Sequence, residues 1–327
     1  MVRSVAGNLP EQVKNNQSVN TAAGNGGQKM SQYSWFTVYG KEHPDTLSLL
    51  NNMALEYAEL GEYQKALEIN EKTYELRCKV LGEEHPDTLR SLNNLACEYI
   101  ALGEYQKALE LIKKVYKLRC EVLGEEHPDT LRSLNNLACE YNTIGEHQKA
   151  LELTKKAYEL RCKNLGEKHP TTLTSLNNLA FIYSKLGEHQ KAFVLNEKAY
   201  KLRCKVLGEE HLDTLSSLVN LASIYGKLGW HQKAIELNEK AYKLRCKVLG
   251  EEHPDTLTSL NNLAYEYSEF GEHKKALELT NKAYELSCKV LGQEHPTTMT
   301  LLNNLIYEYS ELGEHKKAFE LKRKYMN

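Results

Sequence analysis

The chain has little charge imbalance and no long apolar run, and each shortage removes a class of function. Lysine and arginine number 42 against 44 acidic residues, a formal net charge of −2. A protein that binds nucleic acid by neutralising phosphates needs a basic excess, so no nucleic-acid partner is expected. No apolar stretch approaches the roughly 18 residues that cross a bilayer. The opening MVRSVAGNLPEQVKNNQSVN also lacks the apolar core of a secretory signal. No membrane partner is expected, and a cytoplasmic location follows. The sequence contains no CxxC, HExxH or GxSxG, and no glycine-rich phosphate loop after a strand. Neither metal, cofactor, small-molecule substrate nor catalysis is therefore expected.

The 8 cysteines are spaced against disulfide pairing. Cys78, Cys120, Cys162, Cys204, Cys246 and Cys288 recur in steps of 42, as do Cys97 and Cys139. They hold equivalent places on successive helices, which sit roughly 8–10 Å apart or more. A disulfide needs Cα atoms within about 7 Å. Small, half-buried, reduced thiols are the expectation.

What the sequence does have is repetition. At 327 residues it exceeds one compact core, and a repeat array resolves the excess. The block HPDTL starts at His43, His85, His127 and His253, with variants at His169, His211 and His295, always in steps of 42. Glycine recurs every 21 residues from Gly40 to Gly313. Each repeat is thus two segments of similar length, each closed by a glycine. Leu89, Leu92, Leu95, Ala96 and Tyr99 form one helical stripe, and Tyr105, Ala108, Leu109, Ile112, Val115 and Tyr116 form another. Pro86 suits a first helical turn and Asp87 complements its dipole. Gly103 and Gly124 suit the residue just past a helix end. The twelve histidines read as a packing column, seven at helix starts and five (His147, His189, His231, His273, His315) where Tyr63 and Tyr105 stand earlier.

Leu95-Ala96-x-x-Tyr99, Leu102-Gly103 and Ala108 resemble the helix-pair signature of the tetratricopeptide repeat, over residues 40–327. That repeat is usually 34 residues; the extra eight add about two helical turns. LNNLA at Leu92–Ala96 and the linker Lys79–Thr88 are similar to the kinesin light chain and nephrocystin branch. The resemblance implies an all-α, right-handed superhelical solenoid of stacked antiparallel helix pairs. The repeats span 43–84, 85–126, 127–168, 169–210, 211–252, 253–294 and 295–327. Residues 1–29, rich in Asn, Gln, Gly and Ser, read as a disordered segment, and 30–42 as a truncated helix capping the stack. The N-terminal segment has no heptads, so the resemblance does not extend to motor attachment.

The resemblance further implies a protein-interaction scaffold or adaptor, monomeric, that holds extended peptides on the inner surface lined by first helices. The candidate stripe contains a repeated amide, Asn51, Asn93, Asn135, Asn177, Asn261 and Asn303, interrupted by Val219. A ladder of amides, each offering donors and an acceptor, suits a peptide backbone, and matching asparagines contact peptide in kinesin-light-chain-like proteins. The alternative is that these amides only bond neighbouring helices. Asn94, Asn136, Asn178, Asn220 and Asn262 point toward the flanking helix and read as structural. Asn142 and Phe181 lie on the same stripe. Arg90, Arg132, Lys185 and Lys227 make its middle basic, while Glu59, Glu269 and Glu311 lie toward its ends. An acidic peptide is the expected partner; the alternative is a solvated groove with no charge preference. Val219 and Gly226 are seven residues apart and so on one face; with Phe181 they would open a shallow apolar pocket for a peptide anchor, and the alternative is drift in a tolerant repeat. The alternative function is a self-assembling structural repeat protein.

Overall fold

The structure, a computed structural model, describes Gly40 and residues 42–325. The expected disordered segment and nearly all of the expected N-terminal capping helix lie outside the described residues. Among those described are fourteen α-helices and no strand. The chain divides into two compact units, one up to Leu153 and one from Thr154 onward.

The first unit contains α1 (Pro44–Glu59), α2 (Tyr63–Leu81), α3 (Pro86–Ala101), α4 (Tyr105–Leu123), α5 (Pro128–Thr143) and the start of α6 (His147–Leu165). The second holds the rest of α6, then α7 (Pro170–Lys185), α8 (His189–Leu207), α9 (Leu212–Lys227), α10 (His231–Leu249), α11 (Pro254–Glu269), α12 (His273–Leu291), α13 (Pro296–Glu311) and α14 (His315–Tyr325). Within each unit consecutive helices associate as antiparallel pairs, and each pair lies against the next. The architecture is an all-α repeat solenoid.

The helices α3 and α4 show why the sequence folds this way. His85 is extended (φ −64°, ψ 139°) and its Nδ1 accepts the Asp87 amide at 3.2 Å, so a histidine ring serves as N-cap. Pro86 follows at the first position, where a missing N–H is harmless. The same cap recurs at His43, His127, His169, His211, His253 and His295. After α3 the chain turns in three residues, with the Glu104 amide donating to the Tyr99 carbonyl at 2.8 Å. After α4, Gly124 adopts φ 84°, ψ 160°, a conformation open only to glycine.

The stripes bury as their period requires. Leu92 and Leu95 meet Leu67 and Val115, and Ala96, Ala108, Leu109, Ile112 and Leu137 form the neighbouring cluster. Alanine at 96 and 108 lets α3 and α4 approach closely. Tyr105, expected on the buried face of α4, is instead exposed, because it is the first residue of that helix and sits at its rim. A buried arginine joins each of the first five pairs to the next: Arg77, Arg119, Arg161, Arg203 and Arg245 donate to Ser91, Ser133, Ser175, Ser217 and Ser259 at 2.6–2.9 Å.

Candidate functional site

The first four asparagines of the column are interior, which corrects the expectation of an open amide ladder. Asn93 is only 2% exposed, and Asn51, Asn135 and Asn177 are also buried. Several of their carbonyl oxygens are engaged inside the stack. Asn94 donates to Asn51 Oδ1 at 2.6 Å, Asn136 to Asn93 Oδ1 at 3.0 Å, and Asn304 to Asn261 Oδ1 at 2.9 Å. Asn177 Oδ1 accepts from both Asn196 (2.8 Å) and Ser217 (3.2 Å). The following pair leans over the position that a single-helix stripe leaves open, and the second asparagine of the doublet fills it. Asn261 and Asn303 are half-buried.

The cations remain accessible, but not all alike. Arg90 and Arg132 each bridge to the aspartate one turn back, at 2.8 Å to Asp87 and 2.6 Å to Asp129. Asn142 faces His147, 3.0 Å from its Nδ1. In the second unit Phe181, Lys185 and Lys227 come together. The Lys185 ammonium lies 5.1 Å from the Phe181 ring centre, and Lys227 donates to Ser184 Oγ at 2.8 Å. Burial of the ammonium, reinforced by the Lys185 charge, lowers the Lys227 pKa. Neither lysine forms an ion pair among the described residues.

The apolar pocket expected at Val219 and Gly226 is not there. The space beside Gly226 holds the Glu266 carboxylate, so that a Cβ at 226 would meet Glu266 Oε1 at 2.5 Å. Glu266 is itself buried and lies 3.5 Å from His231 Nδ1. A glycine that suggests missing bulk instead makes room for a neighbour's charge.

Two features escape a reading of the sequence alone. Tyr265 and Tyr307, one repeat apart, are 58% and 53% exposed on α11 and α13. They stand at the stripe position that holds Cys97, Cys139 and Phe181 earlier, so the 42-residue register points to them. Second, Glu98, Glu140, Glu266 and Glu308 are buried. Burial pushes Glu98 and Glu140 up to about 7, and Asn70 donates to Glu98 at 3.3 Å. Glu308 pairs with His273 at 3.1 Å. Among the described residues no group of three His, Cys, Asp or Glu could hold a metal ion, and no helix is long and apolar enough to cross a membrane. The cysteines are half-buried thiols, and none forms a disulfide among the described residues.

Interlocked helix pairs with a recurring glycine stop and a small-residue contact find their counterpart in known proteins. The tetratricopeptide repeat family matches over residues 45–121, 99–163, 155–205, 171–247 and 213–289. The chain belongs to the tetratricopeptide repeat family. Its solved neighbours place it with repeats of kinesin light chain type. It is 34% identical to the nearly identical TPR-like repeats of a Podosopora anserina kinesin light chain, covering 63% of this chain and 97% of that one with a TM-score of 0.53. BtubC (BKLC) from P. vanneervenii shares the fold at 22% identity and TM-score 0.52, over 72% of this chain and 92% of that one. NprR, solved in complex with its cognate peptide NprX, shares the fold at 16% identity and TM-score 0.58, over 89% and 82%. No curated protein matches the chain. Tetratricopeptide repeats serve generally as protein-interaction scaffolds.

Proposed function

We propose that this chain is a monomeric adaptor that holds an extended acidic peptide on the α7 and α9 surface. The observation that carries the reading is the Lys185–Lys227 pair. Two ammonium groups are held on adjacent first helices, one against Ser184 and one over Phe181, with no carboxylate partner among the described residues. Like charges placed together without a counterion favour an incoming anion. That NprR, which shares the fold, is solved in complex with its cognate peptide supports the reading. The buried asparagines then act by holding the first helices in register, and any apolar contact comes from Phe181, Tyr265 and Tyr307.

The test is titration of the full chain with extended peptides rich in Asp and Glu, against Lys- and Arg-rich peptides of equal length. Affinity for the acidic set should fall as salt rises, and reversing Lys185 and Lys227 to Glu should weaken it at least about tenfold. Equal binding of acidic and basic peptides, or indifference to the reversal, would refute the reading. Light scattering that grows with concentration would instead favour self-assembly.

A further inference from the structure

Between α3, α4 and the start of α5 lies a cavity of about 130 Å³ in which three guanidinium groups, Arg90, Arg119 and Arg132, share the lining with Glu84, Asp87 and Asp129. We propose that this cavity is an oxyanion site that takes a phosphate group. It stands on residues of the first unit and does not rest on the peptide reading above.

Arg119 is the centre of the argument. It is 4% exposed, and its Nη1 donates only to neutral acceptors, Ser133 Oγ at 2.6 Å and the Asp129 carbonyl at 3.2 Å. It forms no ion pair among the described residues. Burial, with the Arg132 charge added, lowers its pKa to about 10, and the Asp129 charge only partly opposes this. Arg132 contributes a second unfinished group, for its Nε is buried without a hydrogen-bond partner. Two guanidinium groups that destabilise one another at a shared cavity, one of them with an Nε that lacks an acceptor, are what a bound oxyanion would relieve.

The carboxylates in the lining do not already supply that relief. Asp87 and Asp129 are spent on Arg90 and Arg132 in partly exposed pairs one turn apart, and such pairs contribute little and exchange easily. Glu84 is exposed and differs from its equivalents elsewhere. Glu42, Glu210 and Glu252 each pair with a lysine, Lys79, Lys247 and Lys289. The corresponding residue for Glu84 is Glu121, a like charge, so nothing holds Glu84 in place. The N-termini of α3 and α5 also meet at the cavity, adding their positive ends.

The arrangement occurs once in the sequence. Positions equivalent to Arg90 and Arg132 are Ser48, Thr174, Ser216, Thr258 and Thr300. Duplication explains sameness among repeats, but not two consecutive departures that bracket a cavity. A phosphate fits better than a carboxylate because it offers three oxygens and nearly two charges to three forks. A cavity of roughly 150 Å³ admits a benzene ring, so one near 130 Å³ admits a phosphoryl group. The group could come as the free ion or on a phosphorylated side chain.

The experiment titrates the full chain with inorganic phosphate and, separately, with O-phosphoserine, by calorimetry and ³¹P NMR, against chloride at matched ionic strength. Saturable phosphate binding is expected, weakened at least about tenfold in Arg132→Gln and tightened in Glu84→Gln. Both substituted residues are partly exposed, and circular dichroism melts check that the variants fold. Tighter binding of inorganic phosphate than of phosphoserine assigns the free ion, and the reverse assigns a side chain. No saturable binding, or the same affinity in Arg132→Gln, overturns the proposal.

Discussion

Arg203 reaches from α8 to α9 and donates to Ser217 Oγ at 2.9 Å, while its Nη2 donates back to Thr174 Oγ1 on α7 at 2.8 Å. One side chain therefore ties three successive helices, and it is among the most completely buried large residues in the protein. These bonds end on hydroxyls, and another ends on the Asp213 carbonyl (2.8 Å), so the stack itself solvates the charge.

Removing one acceptor exposes that dependence. Ser217→Ala leaves a buried guanidinium N–H short of an acceptor and should lower stability by about 1–3 kcal/mol. Urea unfolding followed by circular dichroism checks it; a change within about 0.5 kcal/mol, the range of an ordinary surface substitution, would contradict it.

The buried glutamates make a pH prediction of definite sign. Burial pushes Glu98 from the ordinary 4.5 up to about 7, so its protonated form favours the fold. Its contribution is complete below about 4.5 and is lost as pH rises through 7. Glu98→Gln keeps the acceptor for Asn70 but cannot ionise. The variant should match the parent at pH near 5 and exceed it at pH near 8 by on the order of 1–2 kcal/mol. Melts at the two pH values decide; a variant less stable than the parent at both would show that the carboxylate is charged and paired.

The repeats and their cores were legible because burial follows a 3.6 period on a 42-residue register: Leu89, Leu92 and Leu95 announce themselves. Direction was harder. The stripe through Asn93 and Cys97 looks open on a single helix, but the sequence does not say what packs over it: Asn136 covers Asn93, and Asn196 of the partner helix α8 bonds the equivalent Asn177. Glu98 reads as solvated on its own. Its column after the exposed Glu56 of the first repeat, Glu98, Glu140, Ile182, Ile224, Glu266 and Glu308, held the signal, since isoleucine at the same place marks an interior position. Gly226 misled because sequence shows the missing side chain and not the Glu266 carboxylate that occupies its space.

Two glycines should respond differently to the same substitution. At Gly124, with φ +84° and open space around it, alanine meets no neighbour, yet its backbone is strained, at about 1–3 kcal/mol. At Gly226 the backbone is helical, where alanine gains about 1 kcal/mol over glycine, but the methyl must displace the Glu266 carboxylate from its place near His231. Gly226→Ala should therefore change stability by less than about 1 kcal/mol while moving the His231 ring resonances in an NMR spectrum at fixed pH. A destabilisation equal to that of Gly124→Ala would show that Glu266 cannot move aside.

The last interface tests whether the arginine–serine tie is a separable unit. Where earlier pairs have Arg and Ser fourteen residues apart, α12 and α13 have Ser287 and Leu301. Both members change together: Ser287 bonds Thr298 Oγ1 at 2.7 Å, and Leu301 is buried with Leu260 and Ala283. Ser287→Arg alone puts a guanidinium against a leucine with no acceptor, and should cost about 3 kcal/mol or more. Leu301→Ser alone removes buried apolar volume and should cost about 2–5 kcal/mol. In the double variant the hydroxyl meets the guanidinium as Ser259 meets Arg245 at 2.9 Å. Its loss should then fall short of the summed single losses by about 1–3 kcal/mol. Strict additivity in the four-variant urea cycle would show that the tie depends on surroundings that only the earlier interfaces possess.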